Sequence, residues 1–349
     1  MLDIKELLRY GIGKGASDVH LMAKSPPLFR LDGKLEATSL EILTPDETKK
    51  SIYSLLNDQQ KAQFEEELEL DFSFSVPDLG RFRVNVHRQR GSVEAAIRIV
   101  PSRVPTLSEL GLPAVVADII RRPNGLVLVT GATGMGKTTT LAAMVDLINH
   151  EKQYLIVSIE DPIEYVHQNR RSAIKQREVA SDTKSFANAL KHVLRQDPNV
   201  VVVGEMRDLE TIATALTAAE TGHLVLATLH TQDAPQTIDR IIDVFPPYQQ
   251  HQIRVQLAST LQAVISQQLL AMAKGKGRVM AYELMVVTPA VRNLIRENQT
   301  EQIPTLIQTG SQYGMQSMDK SLKDLYRRDL VTLEAARDRA RDLKEFETL

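Results

Sequence analysis

A glycine-rich run in the middle of the chain carries the strongest chemical signal. It fits the pattern G-x-x-x-x-G-K-[ST], in which glycines turn backbone N–H groups around phosphate oxygens and a helix N-terminus adds partial positive charge. We expect Lys137 to reach the β and γ phosphates of a nucleotide and Thr138 to ligate Mg²⁺. A glycine-rich turn before a helix is the alternative. The predicted phosphate-binding residues are Gly131, Ala132, Thr133, Gly134, Met135, Gly136, Lys137, Thr138 and Thr139.

A carboxylate for the metal is expected at the end of a second buried strand. The apolar run Val200–Val203 is followed by Gly204 and Glu205. Glutamate takes the place of the more usual aspartate here, and its longer side chain is expected to act on Mg²⁺ through a water rather than directly, because magnesium releases its water reluctantly. An ordinary strand that ends in a surface glutamate is the alternative.

Three further carboxylates follow the strand pattern at Leu155–Ile159. Glu160, Asp161 and Glu164 would repel one another unless a cation or solvent offset their charge, and active sites of α/β proteins lie at such strand ends. We predict that Glu164 positions or deprotonates the attacking water and that Glu160 or Asp161 supports the metal site. A solvated acidic turn is the alternative.

Two histidines flank another β-rich run, Leu224–Thr228, with His223 before it and His230 after it. Their spacing suits no helical metal site and the chain has no cysteine, so a zinc site is not expected. His230, at the end of the strand, is predicted to sense the γ-phosphate, and His223 is a second candidate for nucleotide binding. A structural hydrogen bond is the alternative for each.

An arginine-rich segment runs from Arg81 to Arg98, where five arginines accompany one acid, Glu94. Only Phe82 could stack a base among them, so a nucleic-acid surface is not favoured. One interpretation is a charged strand face. The other is that some of these arginines reach a triphosphate, where an arginine strongly accelerates phosphoryl transfer.

The first hundred residues carry the patterns of an α+β domain. Asp32-Gly33 between apolar residues signals a hairpin, and the alternation from Arg81 to His87 indicates a half-buried strand. Residues 44–67 show a helix pattern that opens with Thr44 as N-cap.

The rest of the chain alternates short β-rich runs with helix patterns, as the buried strands of a parallel sheet do. Prolines between Val100 and Pro113 interrupt regular structure, so we predict a domain over 1–100, a linker over 101–113 and an α/β domain over 114–349. Past Pro235 the pattern is helical. The clearest helix predictions are Tyr248–Met272, Pro289–Asn298 and Asp319 to the C-terminus.

Composition limits the class of protein. The 349 residues carry 42 Lys and Arg against 44 Asp and Glu, and a net charge of −2 gives no general attraction to nucleic acid or anionic lipid. Met1–Tyr10 carries charged residues that the apolar region of a secretory signal does not contain, so export is not expected. The apolar stretch Val255–Met272 is interrupted by polar residues, so a membrane span is not expected. The absence of cysteine fits a reducing compartment, and we expect a cytoplasmic protein.

Together these motifs resemble those of the type IV pilus retraction ATPases, within the secretion ATPase superfamily, over nearly the whole chain. Ser17–Leu21 resembles the N-terminal signature of that family, and Ile159–Tyr165 resembles its aspartate box, whose last acid, here Glu164, is the catalytic glutamate. Val202–Asp208 resembles the Walker B segment. Gly222–Thr231 resembles the histidine box, which implies nucleotide-sensing roles for both histidines.

The resemblance implies a small PAS-like N-terminal domain joined to a RecA-like P-loop ATPase domain with a helical C-terminal part, with ATP between the domains. Arg81 and Arg83 are then phosphate-facing arginines of the N-terminal domain. Ala290–Glu297 is similar to a segment needed for motor output rather than hydrolysis. Met135, where serine is commoner, and Val291 depart from the pattern of the family.

The implied function is that of a ring-shaped homohexamer that hydrolyses Mg-ATP and thereby powers pilus retraction and twitching motility. The implied partners are an inner-membrane pilus platform protein and related pilus ATPases, with no nucleic acid. The implied place is the cytoplasm at the inner face of the cytoplasmic membrane, reached through these partners only.

Three rival functions share the same core. Extension and type II secretion ATPases carry a long additional N-terminal region and usually a four-cysteine zinc site, neither of which is expected here. A RecA-like nucleic-acid translocase would need a basic channel with aromatic residues, which the net charge disfavours. An accessory paralogue of the retraction motor has similar motifs and stays open.

Overall fold

The structure is a computed structural model that describes residues 2–31, 33–101, 103–275 and 277–346. The chain divides into two compact units, each with its own hydrophobic core. The first unit comprises Met1–Arg103 and Glu164–Val166, and the second comprises Val104–Ile163 and His167–Leu349.

The first unit contains a six-stranded antiparallel sheet with the strand order β3-β2-β1-β6-β5-β4. Its elements are α1 Ile4–Gly13, β1 Asp18–Leu21, β2 Leu28–Leu31, β3 Lys34–Ala37, α2 Pro45–Tyr53, α3 Asp58–Glu67, β4 Glu69–Val76, β5 Gly80–Gln89 and β6 Ser92–Ile99.

Strand β5 has the alternation that its sequence predicts. Phe82, Val84 and Val86 are fully buried on one face of the strand. Strands β2 and β3 pair antiparallel, as expected of a hairpin at Asp32-Gly33. Gly33 has a φ of 84°, whereas Asp32 lies outside the described residues.

The helix pattern over residues 44–67 is two helices rather than one. Thr44 caps α2 as predicted, in a capping box with Glu47. A second capping box, between Asn57 and Gln60, starts α3. The break between the helices therefore has a local cause, because the Asn57 side chain satisfies an N–H group that a continuous helix would bond internally.

The second unit contains a seven-stranded sheet with the order β13-β12-β7-β11-β10-β8-β9, parallel except for the β12–β13 pair. Its elements up to the last strand are α4 Ala114–Ile120, β7 Gly125–Thr130, α5 Lys137–Glu151, β8 Leu155–Glu160, β9 Ala173–Glu178, α6 Phe186–Val193, a 3₁₀ turn Leu194–Gln196, β10 Val200–Val203, α7 Leu209–Glu220, β11 Leu224–Leu229, α8 Ala234–Asp243, α9 Pro247–Thr260, β12 Leu261–Ala271 and β13 Arg278–Val286. The four β-rich runs of the sequence are β7, β8, β10 and β11, as predicted.

The predicted helix over Tyr248–Met272 is wrong in its second half. Helix α9 ends at Thr260, and the chain continues as β12, which pairs with β7 on one side and β13 on the other. Most residues from Leu261 to Leu270 are buried, and a strand buried on both faces has the same continuous apolar pattern as a buried helix. Strand β13 has no counterpart in the sequence predictions.

The C-terminal part is helical and contributes a third cluster of buried side chains, which includes Leu270, Met318 and Leu322. The continuous helix predicted from Asp319 onward is wrong, because the helix there ends at Arg327 and Asp329 has a φ of 55°, and the rest of the region is several short pieces. Within the described residues no helix combines the length and apolar character needed to cross a bilayer. The remaining elements are α10 Pro289–Arg296, α11 Ile303–Thr309, α12 Met318–Arg327, α13 Leu333–Arg337 and the 3₁₀ turns Thr300–Gln302, Ser311–Tyr313 and Leu343–Phe346.

Candidate functional site

The glycine-rich loop lies between β7 and α5, at the carboxyl edge of the sheet. Strand β7 is fully buried and lies between β12 and β11, so the loop emerges near the middle of that edge. Gly131, Gly134 and Gly136 all have positive φ, at 141°, 79° and 81°. These conformations strain other residues, and they let the backbone curl around an anion at the start of the helix.

Lys137 is held inside this loop. Its Nζ donates to the carbonyl oxygens of Gly131, at 2.8 Å, and Ala132, at 3.1 Å, and the residue is 9% exposed. Thr138 and Thr139 follow in the first turn of α5 and are half-buried. A cation and the positive end of a helix therefore converge on one small volume, which suits a phosphate group.

Glu205 follows β10 and lies between two basic side chains. Its Oε1 is 2.6 Å from Nε of Arg207 and 3.0 Å from Nε2 of His230, and Nη2 of Arg207 donates to Oε2 at 2.7 Å. Burial alone would raise the pKa of this carboxyl, but the hydrogen bonds and positive charge of Arg207, together with the interaction with His230, lower it below its usual value. Glu205 is therefore ionised at neutral pH.

His230 connects Glu205 with the glycine-rich loop. Its Nδ1 is 3.3 Å from the Thr133 hydroxyl, while its Nε2 faces the carboxylate. Because an ionised carboxylate only accepts, Nε2 must donate to it, and in the neutral imidazole Nδ1 then accepts from Thr133. The structure thus brings together the glycine-rich loop, Glu205 and His230, and their roles in nucleotide binding stay predictions.

The acidic segment after β8 is only partly engaged. Glu160 accepts from Ser158 at 2.7 Å and from Gln176 at 2.9 Å. Asp161 and Glu164 are exposed, and Glu164 is grouped with the first unit rather than the second. The roles of Glu164 as base and of Glu160 or Asp161 as metal support stay predictions.

His223 lies at the other edge of the sheet from the glycine-rich loop. It precedes β11, its Nδ1 is 3.0 Å from the carbonyl oxygen of Ala218, and its own carbonyl accepts from the N–H of Gly125, where β7 begins. Strands of six residues separate it from His230 and from the loop, a distance of about 20 Å. The structure does not bring His223 to the loop of its own chain.

The predicted arginines lie on β5 of the first unit. Arg81 is half-buried and Arg83 is exposed, and both alternate with the fully buried Phe82 and Val84. A charged strand face accounts for this pattern, and their contact with a triphosphate stays a prediction.

The sequence analysis missed Gln267, a buried residue of β12 that contacts the loop. Its Nε2 donates to the carbonyl oxygen of Met135 at 2.6 Å, and its Oε1 accepts from Thr140 at 2.9 Å. The signal that would have found it is a pair of glutamines in an otherwise apolar run, which the helix interpretation treated only as interruptions.

The C-terminal segment 338–341 was also missed. With Gly131, Ala132 and Met135 it lines a cavity of about 280 Å³ beside the loop. Arg341 fixes this segment, because its Nη1 donates to the buried Glu283 at 2.9 Å. Burial raises the pKa of that glutamate above its usual value, despite the opposing charge of Arg341.

Magnesium suits the residues at the loop. In the described part of the chain no group of three or more His, Asp or Glu could hold a metal ion by itself. Magnesium at a P-loop, however, needs only one or two protein ligands, since waters and phosphates supply the rest. Thr138 and Glu205 fit that requirement, and because Arg207 and His230 engage Glu205, a contact through water suits it best.

Comparison with known proteins gives consistent matches. The chain matches the type II/IV secretion system protein family over residues 2–337. It is 50% identical to the type IV pilus retraction ATPase PilT of Pseudomonas aeruginosa, covering 99% of this chain and 100% of that protein. It is 39% identical to the type IV pilus ATPase PilU of the same organism, covering 98% and 91%.

A solved structure of the pilus retraction motor PilT with bound ADP matches with a TM-score of 0.93 at 50% identity, covering 100% of both chains. This match confirms the predicted fold class, in which an N-terminal domain is joined to a RecA-like ATPase domain.

Proposed function

The chain belongs to the type II/IV secretion system protein family, and we propose that it is an Mg-ATP-hydrolysing motor that powers the retraction of a type IV pilus. The observation that carries the proposal is the connection of the P-loop to Glu205 through His230. The 50% identity to a retraction ATPase over the full length of that protein, and the ADP in the solved relative, support the same function.

Each residue of the site has a distinct task in this function. Lys137, now bonded to carbonyl oxygens of the loop, exchanges them for the β and γ phosphates of ATP. Thr138, and Glu205 through a water, would hold Mg²⁺, which would offset the negative charge that develops on the phosphates. His230 senses the γ-phosphate through its link to the loop, and Glu164 orients and deprotonates the attacking water.

The wider assembly is part of the proposal. The chain forms a homohexamer in the cytoplasm, at the inner face of the cytoplasmic membrane, where it acts on an inner-membrane platform protein together with related pilus ATPases and without nucleic acid. The predicted domains stay 1–100 and 114–349 with a linker at 101–113, and Arg81, Arg83 and His223 are proposed as further nucleotide-binding residues.

The test is Mg-ATPase activity measured on protein fractionated by size, with and without DNA. We expect the activity to elute with a hexameric fraction and to be unchanged by DNA. Stimulation of turnover by DNA would instead indicate a nucleic-acid translocase, and folded protein without Mg-dependent hydrolysis in any fraction would contradict the motor.

A second candidate function is that of an accessory ATPase, which the 39% identity to PilU favours. Expression of this chain in a piliated strain that lacks both PilT and PilU distinguishes the two. A main retraction motor restores twitching by itself, whereas an accessory protein restores it only together with PilT.

A further inference from the structure

Gln267 contacts the P-loop from the neighbouring strand. Strand β12 runs parallel to β7, and the register places Ser266 opposite Thr130, with their hydroxyls 2.8 Å apart. Gln267 therefore lies level with the first residue of the loop. It is 1% exposed, and a buried amide of this kind requires hydrogen-bond partners for both its donors and its acceptor.

The partners of Gln267 come from three points of the loop and the helix after it. Its Nε2 donates to the carbonyl oxygen of Met135 at 2.6 Å, and its Oε1 accepts from the Thr140 hydroxyl at 2.9 Å. Its own carbonyl oxygen lies 2.5 Å from the position that a Cβ of Gly131 would take. One residue thus contacts the start of the loop, its end and the first turn of α5.

The bond to Met135 has a consequence for the phosphate site. In a trans peptide the C=O and N–H groups point in opposite directions. When Gln267 binds the carbonyl of Met135, the N–H of Gly136 in the same peptide must point away from Gln267. An N–H group that points away from β12 is then available to phosphate oxygens, which the backbone N–H groups of such a loop are expected to meet.

We propose that Gln267 is a positioning residue for phosphate binding, which fixes the peptide between Met135 and Gly136 so that its N–H faces the nucleotide. Thr140 in turn orients the amide, because its hydroxyl bonds Oε1 and thereby leaves the NH₂ group to face Met135. The inference rests on the proposed nucleotide-binding function. Gln267 itself has no contact with the phosphates in this role.

The test measures binding of a fluorescent ADP derivative in the presence of Mg²⁺, so the result depends neither on hydrolysis nor on pilus function. We expect Gln267→Leu to raise the Kd about tenfold, since the loop loses a hydrogen bond and the preset direction of an N–H group. Gln256→Leu is the matched control, because Gln256 bonds Glu220 on another helix, and its Kd should equal that of the wild type. Wild-type affinity in a folded Gln267→Leu variant would overturn the proposal.

A double-mutant cycle tests the role of Thr140. Thr140→Val should raise the Kd about threefold in the wild type but not further in Gln267→Leu, because the hydroxyl acts only through the amide. Thr140→Ser, which keeps the hydroxyl, should restore binding. Additive effects of the two substitutions on the Kd would overturn the proposed action of Thr140 through Gln267. A loss of packing alone would lower the melting temperature without this non-additive pattern in the Kd.

Two outcomes separate this inference from the proposed function. If the wild type does not bind the ADP derivative, the proposed function fails before Gln267 is tested. If Gln267→Leu does not fold, the Thr140 pair decides: unchanged binding by Thr140→Val would contradict the positioning role, and weakened binding restored by Thr140→Ser would support it.

Discussion

At the residue scale, Glu205 is a carboxylate in contact with two basic side chains of the site, His230 and Arg207. Its side chain is 19% exposed and faces His230, which is 41% exposed, and Arg207, which is 73% exposed. Solvent screens the exposed Arg207 most, whereas the contact with His230 also connects Glu205 to the P-loop. A change in the position of His230 therefore alters the hydrogen bonding of the carboxylate directly.

Substitutions of Lys137 and Glu164 should impair different steps, nucleotide binding in the first case and hydrolysis in the second. Lys137→Ala removes the cation of the phosphate site, so we expect nucleotide binding to be lost. Glu164→Gln spares that site, so ATP should still bind while turnover falls by about 10²- to 10⁴-fold, the usual contribution of a general base. Equilibrium binding and steady-state hydrolysis measured side by side check this, and wild-type turnover in Glu164→Gln would contradict its assignment as base.

Asp18 makes the first unit sensitive to acid. Burial raises the pKa of Asp18, but hydrogen bonds from Arg98 and Ser17 outweigh burial and lower it. A carboxyl with a lowered pKa stabilises the fold above its ordinary pKa and loses that effect as the pH falls through the lowered value.

We therefore expect the melting temperature of the wild type to fall more steeply below about pH 4 than that of Asp18→Asn. At pH 7 Asp18→Asn should be less stable by about 1–3 kcal/mol, since it loses a charge-assisted bond to Arg98. Parallel melting curves of the two proteins across this pH range would contradict the assignment.

At the scale of elements, β12 shows what a sequence pattern can and cannot predict. The P-loop was predictable because its glycine spacing is a local property, and so was the position of Glu205, which follows a short apolar strand. Strand β12 was not, because its burial depends on β7 and β13, which contact it from distant parts of the chain. Gln267 went unrecognised for the same reason, since its function exists only when β12 lies beside the loop.

Gly131 is a position where β12 and the loop approach each other closely. Alanine there would be strained at a φ of 141°, and its Cβ would lie 2.5 Å from the carbonyl oxygen of Gln267. We expect Gly131→Ala to abolish binding of Mg-ADP and to lower the melting temperature.

Gly80→Ala is the control for Gly131→Ala. Gly80 also has a strongly positive φ, at 115°, but no atom lies within 4 Å of its would-be Cβ, so only backbone strain applies. Equal losses of stability in the two variants would show that the close approach to β12 does not matter.

At the scale of the whole molecule, hydrolysis must be coupled to movement through a surface outside the nucleotide site. The segment predicted for motor output coincides with α10, whose Arg292 donates to the carbonyl oxygens of Ala258 and Ser259 at the end of α9. Arg292 therefore stabilises a neighbouring helix, whereas Arg296 on the same helix is exposed. Arg296 is therefore a better residue than Arg292 at which to test the role of α10 in motor output.

We expect Arg296→Glu to leave hydrolysis within about twofold of the wild type while twitching is lost, because a change confined to transmission does not alter the barrier to hydrolysis. Lys320→Glu, an equal charge reversal at another exposed site, should keep both activities. Colony spreading and ATPase assays on the same variants check this, and an equal loss of both activities in Arg296→Glu would contradict a role in output.

Arg341 limits how far the chain can be shortened without affecting its fold. Its guanidinium is the partner of the buried Glu283, and its backbone N–H donates to Asp319 at 2.8 Å. A deletion that removes Arg341 leaves Glu283 without its cation, at a cost of about 3–5 kcal/mol unless the carboxyl takes up a proton. Such a shortened chain should lose stability as the pH rises. A loss of function in a deletion variant that lacks Arg341 therefore reflects a loss of folding stability before it reflects the loss of a partner contact.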